Sequence, residues 1–301
     1  MKRILGIGLL VLVPAISWAC ACGCGVFDVK TYSLFPTEEE GLVFLEYNYM
    51  DQNRNWSGAS RASAADNSDK EIRTEFYTFG SQYMFNRQWG VMAEVPYENR
   101  SFTTTTDNGD IAKFTHSGFG DVRIKGIYAG FSPDLSSGIT FGLKLPTGDY
   151  TYPNFDRDTE IGTGSTDALL GGYLMGRLPI ADQWNWFVNG QLDQPFLSRD
   201  EYRPGSEFDA VAGIYYNGWR VKNFKIAPVA QVIGSHRWRD SGAAADAVDT
   251  GYDRVLFAPG IELDMAGVSL YADVAFPAYQ RVNGNQLVAP ELFTLRMSYN
   301  F

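Results

Sequence analysis

Cysteine is confined to one corner of this chain. Among its 301 residues there are three, Cys20, Cys22 and Cys24, so no disulfide can staple anything beyond position 24. Histidine is scarcer still, with His116 and His236 the only two. No nucleophile elbow, zinc-binding helix motif or phosphate-binding loop is present, so an enzyme is not expected. His116 adjoins Ser117, but adjacency in sequence does not set an imidazole on a hydroxyl. After the first twenty positions no run of 18 residues is free of charge, which excludes helical membrane spans. Basic residues are outnumbered, 25 Lys and Arg against 35 Asp and Glu, and form no stripe. Nucleic acid is therefore a poor partner.

The N-terminus carries the features of a secretory signal. Lys2 and Arg3 precede an apolar run from Ile4 to Ala15, and Ser17, Trp18 and Ala19 make a small-x-small cleavage site. A cut after Ala19 or after Ala21 reads equally well. The expected division is a signal peptide over 1–19, a Cys-containing periplasmic lead-in with no core of its own over 20–40, and one domain over 41–301.

From Gly41 the apolar residues recur at every second position. The last stretch is the clearest case: Phe293, Leu295, Met297, Tyr299 and Phe301 fall on one face, with Thr294, Arg296, Ser298 and Asn300 on the other. A chain ending on an aromatic residue after such a strand points to the closing strand of an outer-membrane barrel, with Tyr299 and Phe301 as its assembly signal. Similar segments recur upstream, each about ten residues long, the length of a tilted crossing. Polar connections between them alternate between long and short, long after each odd strand, with the eleventh strand taken as Val268 to Tyr279. The expected fold is all-β: a transmembrane antiparallel up-and-down β-barrel of about twelve strands in the bacterial outer membrane. Ten or fourteen strands would also fit the boundaries. A soluble secreted sandwich shares the alternation but not the alternating connections.

Three motifs stand out. Gly118, Phe119, Gly120 and Asp121 open the fourth strand; Lys144, Leu145, Pro146, Thr147, Gly148 and Asp149 close the fifth; Ile161 to Asp167, with Gly162 and Gly164, leads into the sixth. In this order they resemble the outer-membrane transporter family named for the MetA pathway of phenol degradation, as do Val95, Pro96 and Tyr97 and the aromatic last strand. The resemblance implies uptake of an aromatic compound. The cysteine-bearing lead-in is no part of those motifs. Physically, Pro146 lacks a donor, Gly148 tolerates positive φ and Asp149 can cap a backbone N–H, which suits a turn at the outer rim. Loop shaping and direct ligand contact are the two readings of the set.

By the same alternation Glu46, Glu94, Arg123, Lys125, Lys144, Asp193, Asp273 and Arg296 face inward, since charge on the lipid side is costly. Such a lining either plugs the lumen with ion pairs or makes a narrow aqueous passage with a transverse field. The function expected is passive passage of small solutes, aromatic or apolar ones included. The alternative is a scaffold whose Cys20, Cys22 and Cys24 bind a metal or a periplasmic partner, soft thiolates suiting Cu(I), Zn or an iron–sulfur centre. No haem-attachment motif is present and no cofactor is expected. The acidic stretches 107–110 and 156–160 do not match a calcium-binding loop. Partners are the membrane lipid, the barrel-assembly machinery and an unidentified solute.

Overall fold

A computed structural model describes residues 31–36, 41–106, 108–179 and 182–301. Twelve long antiparallel strands follow one another and close on themselves. They are β1 Gly41–Gln52, β2 Asp69–Met84, β3 Trp89–Thr105, β4 in two segments, Ile111–Phe119 and Val122–Tyr128, β5 Ser137–Leu145 and β6 Thr166–Arg177. The second half is β7 Trp184–Leu197, β8 Glu207–Tyr216, β9 Phe224–Arg237, β10 Tyr252–Met265, β11 Val268–Val288 and β12 Leu292–Asn300. Each strand pairs with the one before it, and β12 returns to β1 in a register running from Leu42 opposite Asn300 to Met50 opposite Leu292. Gly41 and Phe301 exchange both backbone hydrogen bonds at 2.8 Å, which seals the seam at its end.

The alternation is the inverse of a soluble protein's. On β12 the side chains of Phe293, Leu295, Met297 and Tyr299 are exposed, while Arg296 and Ser298 are buried. Leu45, Phe79, Phe141, Leu170 and Phe257 continue the exposed apolar belt around the wall. Apolar residues outside and polar ones inside is the arrangement lipid requires of a barrel. At the end with the short turns, rings cluster: Trp89 against Tyr128 at 4.7 Å, Tyr128 against Phe131 at 5.0 Å and Trp184 against Tyr216 at 5.2 Å. These form an interfacial aromatic girdle. The turns there are short for local reasons. Asn86 Oδ1 accepts from the N–H groups of Gln88 and Trp89. Ala266 and Gly267 both take positive φ, 50° and 85°, as a two-residue hairpin turn demands.

Two outer connections differ from the sequence expectation. The long polar connection expected after the third strand is largely strand: β3 runs on to Thr105 and pairs there with the first segment of β4, Phe102 opposite Phe114. β11 does not stop near Tyr279 but continues to Val288, pairing beyond the wall with Arg54–Gly58, and only 289–291 separate it from β12. The long connection expected after the eleventh strand is instead a strand extension and a short turn. Outside the lipid a strand needs no apolar face, so Thr103, Gln280, Asn283 and Asn285 carry no amphipathic signal although their backbones are paired.

A third difference lies inside. Residues 31–36 are expected to belong to a periplasmic lead-in with no core of its own; Tyr32–Leu34 form a 3-10 turn within the barrel, and Tyr32, Leu34 and Phe35 are buried in the barrel's core. Leu34 packs in a cluster with Leu42, Phe44, Met84, Met92 and Ile127 from β1 to β4. Tyr32 and Phe35 pack against the opposite side, with Tyr173, Phe187 and Tyr215. The signal segment and the three cysteines lie outside the described residues. For the wall itself, Leu295→Arg on the lipid face is expected to lower folding stability in bilayers by about 2–4 kcal/mol, as for a cation near mid-membrane. Urea titration in lipid vesicles checks it, and an unchanged midpoint would contradict the assigned outer face.

Candidate functional site: a barrel interior narrowed at two levels

The three glycine-bearing motifs converge on one side chain. β4 breaks at Gly120 and Asp121, where the Gly120 N–H donates to the Pro96 carbonyl at 2.9 Å, across a β3 position where Pro96 has no N–H of its own to give. Asp121 sits in that break and accepts three bonds. Its Oδ1 takes the Gly148 N–H at 3.0 Å; its Oδ2 takes the Thr163 N–H at 2.9 Å and the Thr163 hydroxyl at 2.6 Å. Thr147 Oγ1 ties the same corner, accepting from the Val122 N–H and donating to the Gly120 carbonyl, both at 2.9 Å. Glycine is obligatory at the contact: a Cβ on Gly162 would lie 2.3 Å from the Gly148 carbonyl oxygen. Gly164 supplies a φ of 67°, whereas a Cβ on Gly118 would meet nothing closer than 3.8 Å.

The knot turns the connection 146–165 inward, and Arg100 holds its far side. The guanidinium, 1% exposed, donates to the carbonyls of Thr159 and Glu160 at 2.7 and 2.6 Å, to Thr74 Oγ1 at 3.0 Å and to Glu98 at 2.8 Å. A buried cation with its donors spent in this way is a structural clamp. Beneath it lies a cavity of about 90 Å³ among Arg123, Lys144, Asp158, Asp193 and Asp209. Asp149 departs from its expected role: its carbonyl accepts from the Gly162 N–H, while its carboxylate reaches His116 Nε2 at 3.3 Å. His116 lies flat on Tyr152 with ring centroids 3.7 Å apart, and the Ser117 hydroxyl donates to Asn99 instead. His236 pairs with Asp253 at 2.6 Å on the exposed rim.

Most of the charged residues read as inward-facing are paired along the inner face of the wall. Lys144 contacts Asp167 and reaches Asp193 at 2.9 Å, joining β5, β6 and β7. Lys125 meets Glu94 at 3.2 Å and Gln191 at 2.9 Å. Arg296 meets Glu46 at 3.2 Å across the β1–β12 seam and covers the ring of Tyr271 at 4.8 Å. Asp273 accepts from the Tyr271 hydroxyl at 2.6 Å and from Gln231 at 3.1 Å. Arg123 lines the outer cavity with Lys144 and Asp193.

The second narrowing is residues 31–36. Arg296 donates to Ser33 Oγ at 2.7 Å and to Thr31, so the inner ion pair also anchors this segment. The Tyr32 hydroxyl donates to Glu262 on β10 at 3.0 Å. Sequence reasoning misses these partners. Arg100 follows Met92, Glu94 and Glu98 on the inward parity of β3 and could have been read from it. Tyr32, Leu34 and Phe35 are apolar residues without periodicity, and only their burial reveals them. Among the described residues no group of His, Cys, Asp and Glu is placed to hold a metal ion, and Cys20, Cys22 and Cys24 are not among those residues.

No family model matches the chain, and no curated protein matches it. Solved structures do. The chain is similar to an outer membrane channel from Pseudomonas putida F1, at 12% identity over 91% of this chain and 100% of that one, with a TM-score of 0.67. It is also similar to the β-domain of the Bordetella autotransporter Brka, at 12% identity over 88% of this chain and 100% of that one, with a TM-score of 0.54. The likeness is one of fold. This chain is a twelve-stranded barrel of the bacterial outer membrane.

Two outcomes follow from the inward connection. Asp121→Ala removes three hydrogen bonds to a carboxylate, so amide exchange over 146–165 is expected to rise on the order of 100-fold, as for about 3 kcal/mol lost. Exchange mass spectrometry checks it, and an unchanged connection would contradict the clamp. Burial, then the Asp240 charge, pushes the Asp158 carboxyl up to about 8, and burial pushes Glu160 up to about 7. The tucked connection thus holds protons that a released one gives up. Its stability is full below about pH 4 and falls as pH rises through about 7 to 8. Exchange over 150–165, corrected for intrinsic rate, is expected to be faster at pH 9 than at pH 5, and Asp158→Asn to flatten that difference.

Proposed function

We propose that this barrel is a passive channel for small solutes, stoppered at rest by its own residues 31–36. The observation that carries the reading is the chemistry of the stopper. Residues 31–36, upstream of the first strand on the same chain, occupy the interior through side-chain contacts and a few hydrogen bonds and take no part in strand pairing with the wall they close. A barrel whose interior served only as packing could fill itself from its wall strands, as eight-stranded barrels do. Here the interior also keeps charged side chains from many strands, among them Lys144, Lys125 and Arg296, each paired with a carboxylate. That lining supports a narrow aqueous path once the stopper moves.

Aromatic solutes are the class we favour. The support is twofold: the three motifs resemble the phenol-degradation transporter family, and the deeper interior carries rings as well as charges. The motifs themselves act in this reading by shaping the constriction, with Asp121 and Arg100 holding the connection 146–165 in the lumen.

Conductance tests the proposal. In planar bilayers the intact protein is expected to show a small or absent unit conductance. A variant lacking residues 31–36 is expected to conduct several-fold more and to admit solutes in liposome swelling. A deletion variant that folds, inserts and stays ion-tight would overturn the channel reading.

A further inference from the structure

Tyr32 is itself a phenol held in a fitted site. Its ring lies on that of Tyr215 with centroids 3.6 Å apart and planes within 2°, and sits 5.7 Å from Phe187 at 52°. Its hydroxyl donates to Glu262 at 3.0 Å. Beside it the Phe35 ring stacks on Tyr173 at 4.6 Å and 15°, and meets Phe187 nearly edge-on at 6.3 Å. The four wall residues come from β6, β7, β8 and β10, so the site belongs to the barrel and the two rings filling it belong to the stopper.

Glycine on the adjacent strand gives two of these rings room to lie across the wall. Phe187 stands opposite Gly213, where a Cβ would come within 2.5 Å of the Phe187 ring. Tyr173 stands opposite Gly138, where a Cβ would again fall 2.5 Å from the tyrosine ring. Any larger residue at either glycine would displace an aromatic wall. Two offset ring slots and one carboxylate acceptor, enclosed in the interior, make a complement to a flat ring bearing a hydroxyl. Stacking and edge contacts reward any aromatic ring. The hydrogen bond to a carboxylate rewards only one with a donor at that edge.

We propose that Tyr173, Phe187, Tyr215 and Glu262 form a binding site for a free hydroxylated aromatic molecule, and that such a solute opens the barrel by displacing Tyr32 and Phe35 from it. The opening step rests on the channel reading above; the binding step does not. Tyr32 and Phe35 are tethered, so they compete at an effective concentration of about millimolar or higher. A free ring binds the intact protein only against that competition. The same contacts therefore set both how tightly the stopper closes and which solute can release it.

The probe is 4-methylphenol, the side chain of tyrosine as a free molecule, with toluene as the same ring lacking the donor. Binding is measured by equilibrium dialysis of the purified full-length protein in detergent, with empty micelles subtracted. Tyr32→Ala vacates the slot without touching a wall strand, and it is expected to bind 4-methylphenol at least tenfold more tightly than the intact chain. In that variant toluene is expected to bind at least tenfold more weakly than 4-methylphenol, and Glu262→Leu in the same background to erase the difference. Equal binding by Tyr32→Ala and the intact chain, or equal binding of the two probes by Tyr32→Ala, would overturn the site. Heat-modifiable gel mobility confirms that each variant is folded. In bilayers 4-methylphenol is expected to raise the conductance of the intact protein and not that of the 31–36 deletion. If the probe binds as stated but the deletion remains ion-tight, the site stands and the channel reading fails. If the deletion conducts but binding shows no selectivity, the channel reading stands and the site fails.

Discussion

Everything in this protein depends on one seam. In lipid a backbone N–H or C=O without a partner costs several kcal/mol, so a sheet can cross only if it has no edge. The pairing of β1 with β12, from Leu42 opposite Asn300 to Met50 opposite Leu292, removes the last two edges and turns a ribbon into a wall. Closure also decides what the two faces of every strand must be. The outside has to be apolar because it meets hydrocarbon, and the inside becomes an enclosed volume with its own chemistry. The ion pair of Glu46 and Arg296 spans this seam on the inner side, so the place where the barrel closes is also where residues 31–36 are anchored.

Charge inside such a volume is expensive unless matched. Lys144 with Asp167 and Asp193, Lys125 with Glu94, and Arg296 with Glu46 show the matching strand by strand. Breaking a buried pair leaves an uncompensated ion, so each pair constrains its strands more than it adds net stability. Arg100 extends that logic to an irregular segment by binding the carbonyls of Thr159 and Glu160, which strand pairing leaves free. The outer constriction is thus held by polar groups and the inner one largely by rings.

Much of the wall was legible in the sequence because its rule is local. A period of two identifies a strand wherever one face must be apolar, and the rule worked for every membrane-crossing stretch. It failed where lipid ends: Gln280 to Val288 and Thr103 to Thr105 are paired strands with polar residues on both faces. The conspicuous motifs were visible too, since Gly120, Asp121, Gly148 and Gly162 have unusual residue types at turns. Their meeting was not, because Gly120 and Gly162 lie 42 positions apart and come together only around Gly148, which packs against both. Tyr32 was the least visible of all. One tyrosine in a segment without periodicity carries no signal until Tyr215 and Glu262 are brought around it.

By itself the sequence determined that the chain builds a membrane wall and about how many strands it has, because those follow from alternation and from the cost of charge in lipid. Only the tertiary structure decided which inward residues meet, that the Asp121 corner folds a connection into the lumen, and that residues 31–36 fill what remains. The reason is physical: alternation is a property of neighbours along the chain, whereas a lumen is made by residues from opposite walls, and closure alone sets their distances.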